Sequence, residues 1–126
     1  MRHFLLITKA LSDETRVRLL LALRDGDLCL CQIIDLLGLA PSTVSKHVDT
    51  LRQAGLVEMR KDGRWHFYRL ASEDRLSVVR EALHWALRSL QDEKIILADA
   101  ARLRYLREQD PGELTACYSR NANQSE

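Results

Sequence analysis

A mainly α-helical fold with one β-hairpin, arranged as a winged helix-turn-helix, is predicted by three features of the sequence. Apolar residues recur at helical spacing through residues 13–51. Two of the helices so defined are separated by only Gly38, Leu39 and Ala40, a short glycine-containing turn of the helix-turn-helix kind. Between residues 56 and 70 an alternating stretch, an Asp-Gly pair and an aromatic-rich stretch follow one another, which is the pattern of a hairpin.

Taken in order, residues 13–24 (DETRVRLLLALR) bring Val17, Leu20, Leu21 and Arg24 to helical spacing with Leu19 and Leu23 alongside, and either Ser12 or Asp13 suits the N-cap. Gly26 and Asp27 break the pattern. Leu30, Ile33, Ile34 and Leu37 then recur at i, i+3, i+4 and i+7, one buried face of a short helix. Pro41 suits the first position of the next helix, whose core stripe is Val44, Val48 and Leu51 and which Gly55 ends with a positive φ. In the hairpin, Val57 and Met59 alternate with Glu58 and Arg60, and Asp62-Gly63 is the expected turn. Trp65, Phe67 and Tyr68 read as hairpin and core packing, and Trp85 as core or subunit interface.

Residues 73–109 contain neither Gly nor Pro, and Leu76, Val79, Leu83, Ala86, Leu87 and Leu90 mark a further helix, followed by Leu97, Ala101 and residues 103–106. One helix over that span would be about 54 Å long, so a break is expected near residues 91–94. Pro111-Gly112 closes the segment, and SRNANQSE reads as a frayed polar tail. The expected organisation is a winged helix-turn-helix domain over residues 1–91 and a helical extension with tail over 92–126.

Composition excludes several classes. At 126 residues, 46% hydrophobic and 29% charged, the chain suits one domain with a modest core. Its longest apolar runs, Phe4 to Ile7 and Leu19 to Leu23, fall far short of the roughly 20 residues a membrane span needs. The first residues carry no extended apolar region and no small-residue cleavage site, so a cytoplasmic location is expected. A P-loop, a Gly-rich dinucleotide motif, H-E-x-x-H and C-x-x-C are all missing from the sequence, which argues against an enzyme.

Net charge is only +1, yet its distribution is uneven. Residues 41–70 carry six basic side chains (Lys46, Arg52, Arg60, Lys61, Arg64 and Arg69) against three acidic ones. That excess coincides with a helix whose polar residues Ser42, Thr43, Ser45, Lys46 and His47 suit phosphates and base edges in a major groove. Arg60, Lys61 and Arg64 surround the hairpin tip, where a wing reaches the adjacent backbone or minor groove. Double-stranded DNA is the partner this pattern predicts.

Three cysteines, two of them spaced C-x-C, make no disulfide framework and point to metal or redox chemistry. On a helix, Cys29 and Cys31 would flank the apolar stripe about 200° apart, so both sulfurs meet one ion only if the first turn distorts. Burial as two small apolar side chains is the plain alternative. A position near a helix N-terminus favours the Cys29 thiolate, and thiolates select soft or borderline ions such as Zn(II), Cd(II), Cu(I) or trivalent arsenic. His84 has Asp92 and Glu93 nearby but no second His, and His3 and His66 have no partner at ligand spacing, so these histidines read as ordinary residues.

The segments PSTVSKHVDTLRQAGLV, KDGRWHFYRL and DLCLCQI together resemble the ArsR/SmtB family of winged-helix metal-sensing repressors, over roughly residues 4–91. DLCLCQI is similar to the metal box of the arsenical-responsive branch. The resemblance implies a homodimer held by its first and last long helices, bound to a palindromic operator and released by a metal or metalloid. Trivalent arsenic or antimony suits three thiolates, and the branch often has a third Cys soon after the C-x-C. Here IIDLLG has none, which leaves Cys117, from the same or the partner subunit, beside Cys29 and Cys31 as the candidate set. A thiol redox sensor and a constitutive DNA-binding module are the alternatives on the same scaffold.

Overall fold

The computed structural model describes residues 1–72 and 76–109. Its elements run α1 (Arg2–Leu11), α2 (Glu14–Ala22), a 3-10 turn (Leu23–Asp25), β1 (Leu28–Cys29), α3 (Leu30–Leu37), α4 (Pro41–Gln53), β2 (Val57–Asp62), β3 (Trp65–Leu70), α5 (Ser77–Leu90) and α6 (Lys94–Glu108). The winged helix-turn-helix is therefore present, with α3 and α4 as its helix pair and β2–β3 as the wing. The break expected near residues 91–94 separates α5 from α6. Pro111-Gly112, Cys117 and the terminal SRNANQSE lie outside the described residues.

Local chemistry accounts for most boundaries. Asp13, rather than Ser12, caps α2: its carboxylate accepts from the Arg16 N–H at 3.1 Å. Pro41 occupies the first turn of α4. Gly38 takes φ +66° immediately after α3, and its N–H closes onto the Ile34 carbonyl. α1 was not apparent from periodicity, because Phe4, Leu5, Leu6 and Ile7 form a continuous apolar run. Its helix buries Ile7 and Ala10 and leaves Phe4 and Leu5 exposed.

The sheet has order β1-β3-β2, antiparallel throughout. Asp62 pairs with Trp65, so the two-residue loop is Gly63-Arg64 and not the expected Asp62-Gly63. Only Gly63 of that pair has positive φ, +62°, which is the type II′ arrangement with glycine at the first loop position. β1 pairs Leu28 with Tyr68 and Cys29 with Phe67. Two residues are too few to show strand alternation in the sequence.

The core lies between this sheet and the helices, with Leu19, Leu20, Leu28, Ile33, Val44, Val48, Leu51, Leu56 and Leu106 fully buried. α6 joins the same core through Ile96, Leu103 and Leu106. Polar links hold it there as well. Asp99 accepts two hydrogen bonds of 2.9 Å from Arg18 on α2, Arg102 donates to Asp35 on α3 at 2.8 Å, and Arg107 donates to the carbonyls of Gly26 and Asp27. Hydrogen bonding to Asp99 raises the Arg18 guanidinium above its ordinary pKa against the opposing effect of burial. The Arg18 side of the pair thus stays charged through the neutral and alkaline range.

Candidate functional site

The candidate recognition surface is built on α4. Its stripe Val44, Val48 and Leu51 is buried, which turns Ser42, Thr43 and Lys46 to solvent. Ser45 and His47 lie half-buried at the two edges of that stripe, less outward than the sequence implied. Ala40 supplies no side-chain cap and Pro41 has no N–H, so the backbone N–H groups of Ser42 and Thr43 face the open end of the helix. Such an end suits a phosphate oxygen.

The basic residues divide into two groups. Arg52 pairs with Asp49 at 3.8 Å, Arg69 with Glu58 at 3.3 Å, and Arg60 with Asp27 at 3.6 Å and Asp62 at 3.8 Å while lying over the Phe67 ring. Among the described residues, Lys46, Lys61 and Arg64 have no carboxylate partner, and Arg64 lies over the Trp65 ring at the wing tip. Lys46 on α4 and Lys61 and Arg64 on the wing thus carry the charge least compensated by the protein itself. Arg60 instead ties the wing to the loop before β1.

His47 has a partner that sequence spacing could not reveal. Arg16 donates from Nε to the Ala10 carbonyl at 3.0 Å and from Nη2 to the Lys9 carbonyl at 2.9 Å, capping the last turn of α1. Its remaining Nη1 lies 3.2 Å from His47 Nδ1. At the C-terminal end of α4, His3 Nε2 donates to the Ala54 carbonyl at 2.9 Å. α1 is therefore tied to the middle of α4 through Arg16 of α2 and to its C-terminal end through His3.

The thiol pair departs from the geometry expected of it. Cys29 is not on the helix: it ends β1 and caps α3 with an extended backbone, φ −77° and ψ 158°. The two sulfurs therefore converge rather than diverge, and they are joined as a disulfide with Cα atoms 5.4 Å apart. No distortion of the α3 first turn is needed to bring them together. Both residues are buried, at 2% and 5% exposure, which agrees in this respect with the plain alternative of two small apolar side chains. The Cys29 N–H donates to Gln32 Oε1 at 2.9 Å, and this reciprocal cap stabilises the strand-to-helix junction.

When reduced, two adjoining sulfurs fit a soft ion as two thiolate ligands. Among the described residues no group of three or more His, Cys, Asp or Glu is placed to hold a metal. His84 likewise has no such cluster around it.

Phe4, Ile7, Leu11, Val78 and Trp85 line an apolar groove between α1 and α5, with Phe4 65% and Trp85 64% exposed. Trp85 is therefore not a core residue of this chain. Among the described residues, no helix is long and apolar enough to cross a membrane.

A helix pair with a polar recognition face, a basic wing and a buried thiol pair at the head of α3 define a winged-helix regulator. Residues 13–59 match the model of the arsR family of bacterial regulatory proteins. An uncharacterised HTH-type transcriptional regulator of Methanocaldococcus jannaschii is 41% identical over 68 residues, covering 53% of this chain and 76% of that protein. The chain belongs to the ArsR family of helix-turn-helix transcriptional regulators, and not to a family of enzymes.

The arsenic resistance transcriptional regulator ArsR1 of Pseudomonas putida is 41% identical over 69 residues, which span about half of each protein, 54% in both cases. Among solved structures, the homodimeric winged helix-turn-helix DNA-binding domain of a possible ArsR-family regulator from Mycobacterium bovis superposes with a TM-score of 0.60. It has 28% identity and covers 71% of this chain and 81% of that one.

Proposed function

We propose that this protein is a cytoplasmic, homodimeric repressor that binds a palindromic operator and releases it when trivalent arsenic or antimony is taken by Cys29 and Cys31, with Cys117 of the same or the partner subunit as third ligand. One observation carries the reading: the buried thiol pair begins in a strand hydrogen-bonded to the wing. Cys29 stands opposite Phe67 on β3, and Arg60, opposite Phe67 on β2, holds Asp27 two residues before Cys29. The soft centre supplies affinity for thiolates. A rearrangement of residues 27–31 then has two outlets, the wing through β3 and α4 through α3.

Ser42, Thr43, Ser45, Lys46 and His47 are the α4 contacts to DNA in this reading, and Arg60, Lys61 and Arg64 serve the wing. Exposed Phe4 and Trp85 on α1 and α5 suit the face where a second copy would sit, so that two recognition helices meet successive half-sites. Emptying an operator requires a coupling of about 3 kcal/mol or more.

The disulfide between Cys29 and Cys31 favours a second reading, in which oxidation of this pair releases DNA. One experiment separates the two. Reduced protein is titrated onto a fluorescent duplex from its own promoter, arsenite or peroxide is added, and anisotropy is read for Cys29→Ser, Cys31→Ser and Cys117→Ser. Release by arsenite that disappears in the Cys29 and Cys31 variants is expected. Release by peroxide alone supports the redox reading, and DNA binding indifferent to both leaves a constitutive binder.

A further inference from the structure

Arginine can donate hydrogen bonds but never accept them, and it does not lose its proton in proteins. The 3.2 Å approach of Arg16 Nη1 to His47 Nδ1 therefore requires Nδ1 to present its lone pair. In that tautomer the ring proton sits on Nε2, on the far side of the imidazole. Among the described residues Nε2 of His47 has no hydrogen-bond partner, and the residue is half-buried at the edge of the α4 recognition face. Arg16 is itself held firmly, with its other donors on the Lys9 and Ala10 carbonyls. The guanidinium is thus a fixed support rather than a mobile surface charge.

We propose that Arg16 is a positioning residue for DNA recognition: it locks His47 as the Nε2–H tautomer, so that α4 presents a hydrogen-bond donor at this point. This rests on the DNA-binding reading above and adds to it which proton is offered and what holds it. The chemistry complementary to that donor is an acceptor on the duplex, either guanine O6 or N7 in the major groove or a phosphate oxygen. Because the same guanidinium caps α1, the donor is placed relative to the helix that faces the proposed partner subunit.

The test uses the full chain, reduced, on a promoter duplex and on a scrambled duplex of equal length. A long-range proton–nitrogen NMR spectrum of protein labelled with 15N-histidine is expected to show His47 protonated at Nε2 and not at Nδ1. His47→Gln, whose amide nitrogen reaches the Nε2 position, is expected to keep promoter affinity within about threefold, whereas His47→Asn, which reaches only Nδ1, loses about tenfold. Arg16→Met is expected to cost about tenfold in the wild-type background but no more than about twofold in the His47→Gln background, because an amide has no tautomer to set.

A loss confined to the promoter duplex identifies a base acceptor, and equal losses on both duplexes identify a phosphate. An Nδ1–H spectrum, indifference to both His47 variants, or equal Arg16→Met losses in the two backgrounds overturns the proposal. The NMR result and the Gln–Asn contrast decide it even if Arg16→Met fails to fold. If the unaltered protein binds neither duplex, the DNA reading falls and this assignment with it, whereas binding with the wrong pattern removes only the role of Arg16.

Discussion

The two helices of the helix-turn-helix are built on opposite plans. Of the eight residues of α3, six are buried, and the helix is enclosed by β3, α4 and α6. Of the thirteen residues of α4, only Val44, Val48 and Leu51 are buried. A helix packed against three other elements cannot change shape without moving them, because protein interiors are close-packed. A helix held by one stripe can exchange polar side chains at little cost to the fold. The contrast suits the tasks proposed for the two helices: sensing beside α3, where displacement must propagate, and reading on α4, where substitution is tolerated.

The sharpest way to break that comparison is at Ile33, which is 1% exposed in the middle of α3. Ile33→Ala is expected to cost about 3–4 kcal/mol of unfolding free energy, measured by urea denaturation. A cost below about 1 kcal/mol would show that α3 is as loosely held as α4. The next test moves to the helix that covers α3. Asp99→Ala strands the Arg18 guanidinium in a partly buried site and is expected to cost about 1–3 kcal/mol. An unchanged melting temperature would mean that α6 is not an integral part of the core.

The smallest effect on stability is expected on α4. Lys46→Ala should leave unfolding within about 0.5 kcal/mol of the wild type, while DNA affinity falls on all sequences and the salt dependence of binding loses about one unit of slope. A large loss of stability at Lys46, with DNA binding intact, would reverse the assignment of tasks between the two helices.

Much of this arrangement was legible in the sequence because it is local. The stripes of α2, α3, α4 and α5, the proline that opens α4, the glycine that closes α3 and the hairpin all rest on spacings of a few residues. What escaped was non-local or shorter than its own period. α1 hides in a continuous apolar run. β1 has two residues and is a strand only because β3 arrives about forty residues later to pair with it. Without β1, spacing alone places Cys29 on the helix and the two sulfurs on opposite sides of an element to which only Cys31 belongs.

The polar contacts show the same limit. Arg16 with His47 and Arg18 with Asp99 join residues 31 and 81 positions apart. Nothing in either neighbourhood marks them as pairs. The basic excess of residues 41–70 is visible in the sequence, but its division into paired and open side chains is not. Whether an arginine such as Arg60 serves the protein's own carboxylates or remains open to a partner depends on Asp27, which lies in a different part of the chain.

Cys29 is at once the last residue of β1 and the cap of α3, so strand and helix meet with no linker between them. A strand reverses its faces at every residue, and a helix turns by about 100°. One residue inserted beside Leu30 would carry Cys31 that far around α3 and away from its partner sulfur. The joint is therefore exacting in length and lenient in composition: Leu30 could be exchanged for another apolar residue of similar volume, while the count of residues between the two cysteines could not change by one.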